Sequence, residues 1–356
     1  MKKPLFKILK LVLIVLLVLV IIVTGFFAYL SINEFNPAAK ESISITNQTN
    51  KSLKTNQSIS ILTWNVGYAS LDAKHDFFMD GGKDVNTESS KNIQNNLAGI
   101  NKELKTLNPD IAFLQEVDTD SDRSYNINEL ASLKKTLNNY SNAFAYNFKV
   151  PFIPYPWPPI GKVNGGITTF SKYQSNKNAT RIKLPTSYKW PVRLAQLKRC
   201  LLLERIPLEN SDKELVLVNL HLEAYSDYAS KKAQLKVMMS LLNDEYAKGN
   251  YCVAGGDFNM SFGNVNADLY PIKEKDNYVP GKIENSDLTN DFRFANDSSI
   301  PTCRLLNEPY NPKTAQFYVI DGFIVSPNIE VNKIKTVDLQ FKNSDHNPVM
   351  MQIKLK

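Results

Sequence analysis

The sequence predicts an α/β domain that follows a single membrane-spanning helix. After Ser58, strand-like apolar runs alternate with amphipathic helical runs, a pattern typical of α/β proteins. Before it, the run from Leu11 to Leu30 contains twenty residues and no charged side chain. A chain of 356 residues with 43% hydrophobic residues is long enough for one large domain or two small ones.

The apolar run has the length and the flanking charges of a transmembrane anchor, predicted over residues 11–30. A helix of about 20 residues covers a hydrocarbon core of about 30 Å. Residues 1–10 carry four lysines and no acid, so the positive-inside rule places them in the cytoplasm and the rest of the chain outside. A cleaved signal peptide is the alternative, but its apolar region is usually shorter and ends in small residues.

Residues 31–57 are predicted to form a flexible tether. They are rich in Asn, Ser, Thr and Lys, contain few large apolar residues and show no sustained period. Such a composition does not bury enough apolar surface to offset the entropy of ordering the chain.

The charge and cysteine content exclude two classes of protein. The net charge of +7 includes four lysines at the N-terminus, which leaves 42 − 4 = 38 basic against 35 acidic residues, or +3, in the remainder. That excess is too small to indicate a nucleic-acid groove. The three cysteines, Cys200, Cys252 and Cys303, are widely spaced, which argues against a disulfide framework or a zinc site and favours free, mostly buried thiols.

Hydrophobic periodicity predicts the main elements of the domain. Residues 59–65 and 111–117 are strand-like, and apolar residues recur at steps of three and four between Ile93 and Leu107. Residues 214–223 alternate with a period of two, and a helix is predicted from about Ser230 to Lys248, ending at Gly249.

Polar side chains follow several of the predicted strands, where an α/β sheet usually opens into a ligand crevice. Taken singly, an acidic residue after a strand is usually a cap or a turn residue. The whole set in chain order is informative, and it includes two of the three histidines: Asn65, Glu116, His221, Asp257, Asn259, Asp321, Asp345 and His346.

The segments that carry these residues resemble the endonuclease/exonuclease/phosphatase superfamily. The matching words are TWN, QE, GGITTFSK, NLHLE, GGDFN, IDGFIVS and SDHNP, and they extend from about Ile59 to Ile353. The resemblance implies a four-layer α/β sandwich, in which two mixed β-sheets are flanked by helices, and a catalytic domain over residues 58–356.

Phosphoester hydrolysis by this family would use a metal-activated water. Asn65, Glu116 and Asp345 offer hard oxygen ligands suited to Mg²⁺ or Mn²⁺. The resemblance implies that Asp257 orients or deprotonates the attacking water, with Asn259 beside it to hold a phosphate oxygen.

The two histidines would stabilise the charge that develops on the phosphoryl oxygens. The resemblance implies that His221 and His346 donate to these oxygens as protonated imidazoles, and that Asp321 fixes the ring of His346. A carboxylate partner for His221 cannot be placed in the sequence.

Weaker signals concern substrate and membrane contacts. Arg123, in the loop after Glu116, and Asn164, before the GGITTFSK strand, are expected to contact substrate phosphate. The Pro- and aromatic-rich loop around residues 150–161 either packs on the domain or touches lipid. Lys198 and Arg199 precede a predicted strand and are expected to be solvated at a sheet edge.

The partners expected are a phosphate-ester substrate, which is a nucleic acid or a phospholipid headgroup, and the lipid bilayer, with no obligate protein partner. The near-neutral domain argues mildly against tight binding of long duplexes. The alternative to an enzyme is a surface binding module that keeps the fold without catalysis. Such a module is expected to have replaced metal or histidine positions, whereas every one is filled here.

Overall fold

Two large β-sheets, two small two-stranded sheets and four α-helices make up the protein in this computed structural model, which describes residues 2–356 and the side chains from Leu5 onward. The helices are α1 Lys2–Ile32, α2 Ser90–Leu107, α3 Glu129–Thr136 and α4 Tyr228–Ala247. The strands are β1 Lys40–Ser44, β2 Ser58–Asn65, β3 Ile111–Asp118, β4 Ser141–Ile153, β5 Gly161–Ser171, β6 Asn178–Lys183, β7 Cys200–Pro207, β8 Glu214–His221, β9 Tyr251–Asp257, β10 Met260–Phe262, β11 Gly281–Ile283, β12 Arg293–Ala295, β13 Cys303–Arg304, β14 Phe317–Tyr318, β15 Asp321–Val325, β16 Ile329–Thr336 and β17 Val349–Leu355.

The two large sheets are mixed, as the resemblance implied. The first has seven strands in the order β1-β6-β7-β8-β9-β15-β12, and β8 and β9 are parallel within it. The second has six strands in the order β16-β17-β2-β3-β5-β4, and β2 and β3 are parallel. Because the two parallel pairs occupy the middle of their sheets, the ends of four central strands are available to build one site.

Apolar side chains from both sheets pack together in one layer and hold the sheets face to face. Ile61 and Phe113 of the second sheet pack against Leu217 and Phe323 of the first, all fully buried. The period of two predicted for residues 214–223 is confirmed over β8, because Leu215 and Leu217 enter this layer while Val216, Val218 and Leu220 face α4.

Helices cover the outer faces of both sheets and complete the four layers. The stripe predicted on α2 is buried against the outer face of the second sheet, and α4 packs its leucines and methionines on the first. α2 ends where Asn108 adopts a left-handed conformation, and Gly249, at φ +83°, follows the end of α4. The prediction of a four-layer α/β sandwich is confirmed.

Helix α1 contains the predicted anchor. Residues Leu5–Ile32 have a mean hydropathy of 3.3 and are long enough to cross a membrane. A signal sequence near the N-terminus would share these properties.

The prediction of a flexible tether over residues 31–57 is wrong. Lys40–Ser44 forms the edge strand β1, antiparallel to β6, and Leu53 is fully buried in the layer between the sheets. An edge strand needs only backbone partners and a few apolar contacts. Ile43 and Ile45 supply these contacts on an otherwise polar segment, which is why its composition concealed the strand.

A buried acid lies within the first sheet, away from the predicted site. Glu204 of β7 is 1% exposed, and its only hydrogen bond among the described residues comes from the Ser175 hydroxyl. Burial raises the pKa of Glu204 to about 7, and the Ser175 hydrogen bond offsets only part of the effect. The folded protein therefore holds this proton over a pH range in which the unfolded chain has released it.

We expect the stability of the protein to fall as pH rises between the ordinary Glu pKa and about 7. In that window the folded state binds more protons, so one group contributes a slope of about −1.4 kcal/mol per pH unit. Glu204→Gln should remove this contribution and leave those of other buried acids with raised pKa values, while Glu330→Gln, at an exposed position, should keep it. Urea unfolding of the three proteins at several pH values measures the effect, and parallel profiles for wild type and Glu204→Gln would contradict it.

Candidate active site

Strand register brings three of the predicted residues side by side in the first sheet. Asp257 ends β9, with His221 of β8 paired to it on one side and Asp321 of β15 on the other. The glycines before Asp257 allow this close packing, because a Cβ on Gly256, at φ +149°, would overlap the Leu220 carbonyl oxygen.

The second sheet contributes Asn65 and Glu116 from neighbouring strand ends. Glu116 lies at a break in the β3–β5 pairing with φ +55°, which turns its side chain out of the normal alternation. The Asn65 Nδ2 atom lies 2.9 Å from Glu116 Oε1 and 3.1 Å from Asp257 Oδ2. Asn65 thus joins the two sheets at the site.

A tight turn before β17 adds Asp345 and His346. The Ser344 hydroxyl donates to the Asn65 carbonyl at 2.8 Å, and the Trp64 indole donates to the His346 carbonyl at 2.9 Å. These bonds fasten the turn to the end of β2, and they explain how residues so distant in sequence share one cluster.

His346 and Asp321 form a buried pair. His346 Nδ1 lies 2.8 Å from Asp321 Oδ2, and His346 Nε2 lies 3.8 Å from both Asp257 and Asp345. Burial alone would lower the pKa of His346, but the Asp321 charge, with help from Cys303 and Asp345, raises it well above the usual value. The ring is therefore protonated at neutral pH.

His221 has a different environment. Its Nε2 lies 3.5 Å from Asp257 and 3.8 Å from Glu116, while Nδ1 is buried without a hydrogen-bond partner among the described residues. Burial and then the nearby charges of Arg199 and His346 hold the pKa of His221 well below its ordinary value. A pKa this low favours the neutral form of His221 at neutral pH, which departs from the expectation of two protonated imidazoles.

The acids of the cluster lack a paired lysine or arginine among the described residues, and two of them have raised pKa values. Burial and the neighbouring Asp321 raise the pKa of Asp257 to about 6, and burial, with Glu116 adding to it, raises that of Asp345 to about 7. No lysine or arginine of the described residues pairs with Asp257, Asp345 or Glu116. Three acids with no such partner, beside the single charged imidazole of His346, suit a divalent cation.

Two further groups of ligand atoms lie within 4.8 Å of one another: Asp257 with Asp321 and His346, and Cys303 with Asp345 and His346. Neither suits a hard cation as well as the predicted set. Asp321 is already bonded to the protonated His346, and burial raises the pKa of the Cys303 thiol to about 12, so it keeps its proton.

A cavity of about 140 Å³ is lined by six of the predicted residues, Glu116, His221, Asp257, Asn259, Asp345 and His346, whereas Asn65 and Asp321 are not part of its lining. Its wall includes residues that sequence reasoning did not select: Tyr68, Asp80, Asn147, Arg199, Tyr225, Tyr278 and Arg304. Tyr225 donates to Asp80 at 2.9 Å, and burial raises the pKa of Asp80 to about 6. No chemical motif marks these positions in the sequence, because loops and a strand irregularity bring them to the cavity.

Asn147 and Arg199 are the most notable additions. Asn147 sits at an irregularity of β4, 3% exposed, and its Nδ2 lacks a partner among the described residues. The expectation that Lys198 and Arg199 are solvated is wrong, since they are 8% and 5% exposed. β7 is flanked by β6 and β8, so there is no sheet edge here, and Arg199 donates to the His221 carbonyl at 3.1 Å.

The two weaker substrate-contact predictions have different outcomes. Arg123 does line the cavity, but its guanidinium makes two hydrogen bonds of 2.9 Å to Asp118 and stacks 3.8 Å above the Tyr68 ring. Asn164 lies outside the cavity lining, in a surface groove, and donates to the Asp120 carbonyl at 3.1 Å. The prediction that Asn164 contacts substrate is therefore not supported by its position.

Asn259 is close to Asp257 but its amide is already engaged. Its Nδ2 donates to the Leu222 carbonyl at 2.8 Å, and its Oδ1 accepts from Tyr278 at 2.9 Å. Its backbone N–H donates to Asp257 Oδ1 at 2.8 Å. In this arrangement Asn259 fixes the orientation of Asp257.

A four-layer sandwich with acids and imidazoles gathered at the ends of its central strands is the arrangement of a phosphoester hydrolase. Residues 62–346 match the model of the endonuclease/exonuclease/phosphatase family, and the chain belongs to that family. No curated protein matches the sequence significantly.

Several solved structures share the fold. The endonuclease/exonuclease/phosphatase from Beutenbergia cavernae DSM 12333 is 18% identical with a TM-score of 0.58, over 84% of this chain and 72% of that one. The protein from Bacteroides vulgatus is 14% identical with a TM-score of 0.52, over 84% and 100%. The human Nocturnin catalytic domain, solved with a bound sulfate anion, is 16% identical with a TM-score of 0.51, over 88% and 98%. Identities this low show the fold alone.

We expect Gly256→Ala to lower the stability of the protein by more than about 2 kcal/mol, because the added methyl group meets a backbone oxygen at a positive φ. Gly281→Ala is the matched control, since its Cβ would meet only the flexible Met260 and Lys231 side chains and the edge of Tyr228. Thermal unfolding of both variants measures the difference. Equal melting temperatures would show that β8 and β9 can move apart at Gly256 without loss of stability.

Proposed function

We propose that this chain is a divalent-metal-dependent phosphoesterase, anchored in the cell membrane by α1 with its N-terminus in the cytoplasm and its domain outside. The observation that carries the proposal is the cluster of Asp257, Asp345 and Glu116, in which the first two are buried and Glu116 is partly exposed. No lysine or arginine of the described residues pairs with it, and it lies against one charged and one neutral imidazole. The substrate is a phosphodiester or a phosphomonoester.

Asn65, Glu116 and Asp345 are the residues that would hold Mg²⁺ or Mn²⁺. The ion, when bound, would neutralise charge on the phosphoryl oxygens of the substrate. As a metal ligand, Asn65 would turn its amide oxygen, a hard ligand that now accepts from the Gly67 N–H at 3.0 Å, toward the ion, and its nitrogen would then leave Glu116 and Asp257.

Asp257 is the group that accepts a proton from the attacking water. Its pKa of about 6 makes it ionised yet basic near neutral pH, which suits a general base. The backbone N–H of Asn259 holds one carboxylate oxygen of Asp257 in place at 2.8 Å. Asn259 is thereby a positioning residue.

His346 is the group that donates to the substrate. Asp321 occupies its Nδ1, so the protonated Nε2 faces the cavity and can hydrogen-bond a phosphoryl oxygen or the leaving oxygen. The neutral His221 offers a hydrogen bond without adding charge, and the Arg199 guanidinium holds its backbone by donating to the His221 carbonyl.

The reaction follows from these placements. The water oxygen forms a bond to phosphorus as its proton passes to Asp257, and the ester P–O bond breaks as the leaving oxygen takes the proton of His346 Nε2. No Ser, Thr or Cys nucleophile takes part, so no covalent enzyme intermediate is formed.

Binding of the metal is expected to stabilise the protein. Mn²⁺ at about 100 times its dissociation constant should raise the melting temperature of the full chain in detergent by roughly 5 °C. Glu116→Gln should lose most of this shift, whereas Asp212→Asn, whose side chain is 82% exposed, should keep it. An undiminished shift in Glu116→Gln would show that the ion binds elsewhere.

Asp321 and His346 are expected to act as one unit in catalysis. His346→Ala should reduce kcat/KM for bis(p-nitrophenyl) phosphate by about 100-fold or more, and Asp321→Asn by a comparable factor, because the ring loses its charge and orientation. The double variant should be no slower than His346→Ala alone. Losses that multiply in the double variant would mean that the two residues act separately, and wild-type protein that binds metal but hydrolyses no ester would favour a binding module.

A further inference from the structure

The C-terminal end of helix α1 is docked onto the domain. Phe26 packs edge-on against Phe152 at the end of β4, with ring centroids 6.3 Å apart, and Phe27 packs against Trp190 at 5.7 Å. The Trp190 indole also donates to the Ser31 hydroxyl at 3.2 Å. The helix therefore meets the domain at a defined face and does not hang from a loose linker.

An ion-pair cluster fixes the chain where it leaves the helix. Glu34 accepts from Lys198 at 2.8 Å and from Arg193 at 3.2 Å, and the Glu34 and Lys198 side chains are only 13% and 8% exposed. Leu197 and Arg199, the neighbours of Lys198, both line the candidate active site. The residue that binds Glu34, just after the helix, is thus flanked on both sides by residues of the cavity wall.

Large apolar side chains lie exposed beside the docked helix. Trp157 is 88% exposed and Tyr155 72%, both in the turn after Phe152, and Trp190 and Val192 are each 54% exposed. We call these four residues the apolar platform. Aromatic side chains left open to water in this way usually mark an interaction surface, and Trp and Tyr favour the interface between membrane and water.

The apolar platform continues into the rim of the cavity. Tyr155 packs against Phe78 with ring centroids 6.1 Å apart, and the residues on either side of Phe78, Phe77 and Met79, line the cavity. The cavity, at about 140 Å³, has room for a phosphoryl group and little more. The remainder of a substrate must therefore lie over the rim.

We propose that the apolar platform rests on the outer leaflet of the bilayer that holds α1, and that the enzyme hydrolyses a phosphoester of a lipid in that same bilayer. The proposal rests on the proposed function for both the chemistry of the site and the anchor. The occupant of the platform is a lipid surface because the platform adjoins the end of the apolar helix, where that helix leaves the hydrocarbon core. A nucleic acid would instead need a basic rim, and the rim next to the platform is Phe77, Phe78 and Met79.

The test uses the full chain reconstituted in vesicles of phosphatidylcholine, phosphatidylglycerol and sphingomyelin with Mg²⁺ or Mn²⁺. Release of the phosphorylated headgroups measures lipid turnover, and hydrolysis of soluble bis(p-nitrophenyl) phosphate in the same vesicles measures the chemistry of the site alone. Tyr155→Ser/Trp157→Ser should lower lipid turnover by about tenfold or more and change soluble turnover by less than about twofold. Leu269→Ser is the matched control, since Leu269 is 51% exposed and lies outside both platform and cavity lining.

A second measurement does not depend on catalysis. Brominated phosphatidylcholine should quench the tryptophan fluorescence of the wild type, and Trp157→Phe should remove much of the quenching, because Trp64 is buried and only Trp157 and Trp190 are exposed. Equal quenching in Trp157→Phe would overturn the placement of the platform.

The two turnover measurements, on lipid and on the soluble ester, distinguish failure of this proposal from failure of the proposed function. Soluble turnover without turnover of any lipid in the vesicles would overturn the lipid substrate class, as would faster hydrolysis of DNA than of lipid. Loss of lipid turnover in Leu269→Ser to the same extent as in the platform variant would overturn the role of the platform. Absence of turnover of every ester by the wild type would instead contradict the proposed function, and quenching would then decide the membrane contact alone.

Discussion

Asn65 holds together the arrangement on which the site depends. Its amide nitrogen bonds Glu116 on its own sheet and Asp257 on the facing sheet, and its backbone carbonyl accepts from the turn that carries Asp345. The sheets share other buried polar contacts, such as the Gln115 amide that donates to Asn219 at 2.8 Å. A polar bridge at the open end fixes their relation where the chemistry requires it.

The same convergence produces the electrostatics of the site. Carboxylates brought out of water and close to one another resist ionisation, which is why Asp257 and Asp345 have raised pKa values. Of the two imidazoles, only His346 has a carboxylate hydrogen-bonded to its ring, whereas His221 is buried beside the positive charges of Arg199 and His346, and the two rings therefore have opposite pKa shifts. In the proposed mechanism, the fold thus creates a base, an acid and a cation site from a few side-chain types through their placement.

Much of this arrangement could be predicted from the sequence, because strand ends are marked by local periodicity and each strand end carries its own polar residue. Asp257 and His221 are examples, since their strands obey a period of two up to the site. Asn147 and Arg199 could not be found this way, because a strand irregularity and a loop bring them to the cavity. The strand Lys40–Ser44 escaped prediction for a related reason: its partner lies more than a hundred residues away, and an edge strand needs little apolar character of its own.

The correction to the tether changes what membrane attachment would mean for this enzyme. A flexible linker would only raise the local concentration of the domain near the bilayer, and it would leave the cavity free to face water or lipid. Here the pairing of β1 with β6 and the Glu34 ion pairs remove that freedom. An anchored helix would then orient the cavity as well as confine it, so substrates in the plane of the bilayer are favoured over those in solution without any additional contact.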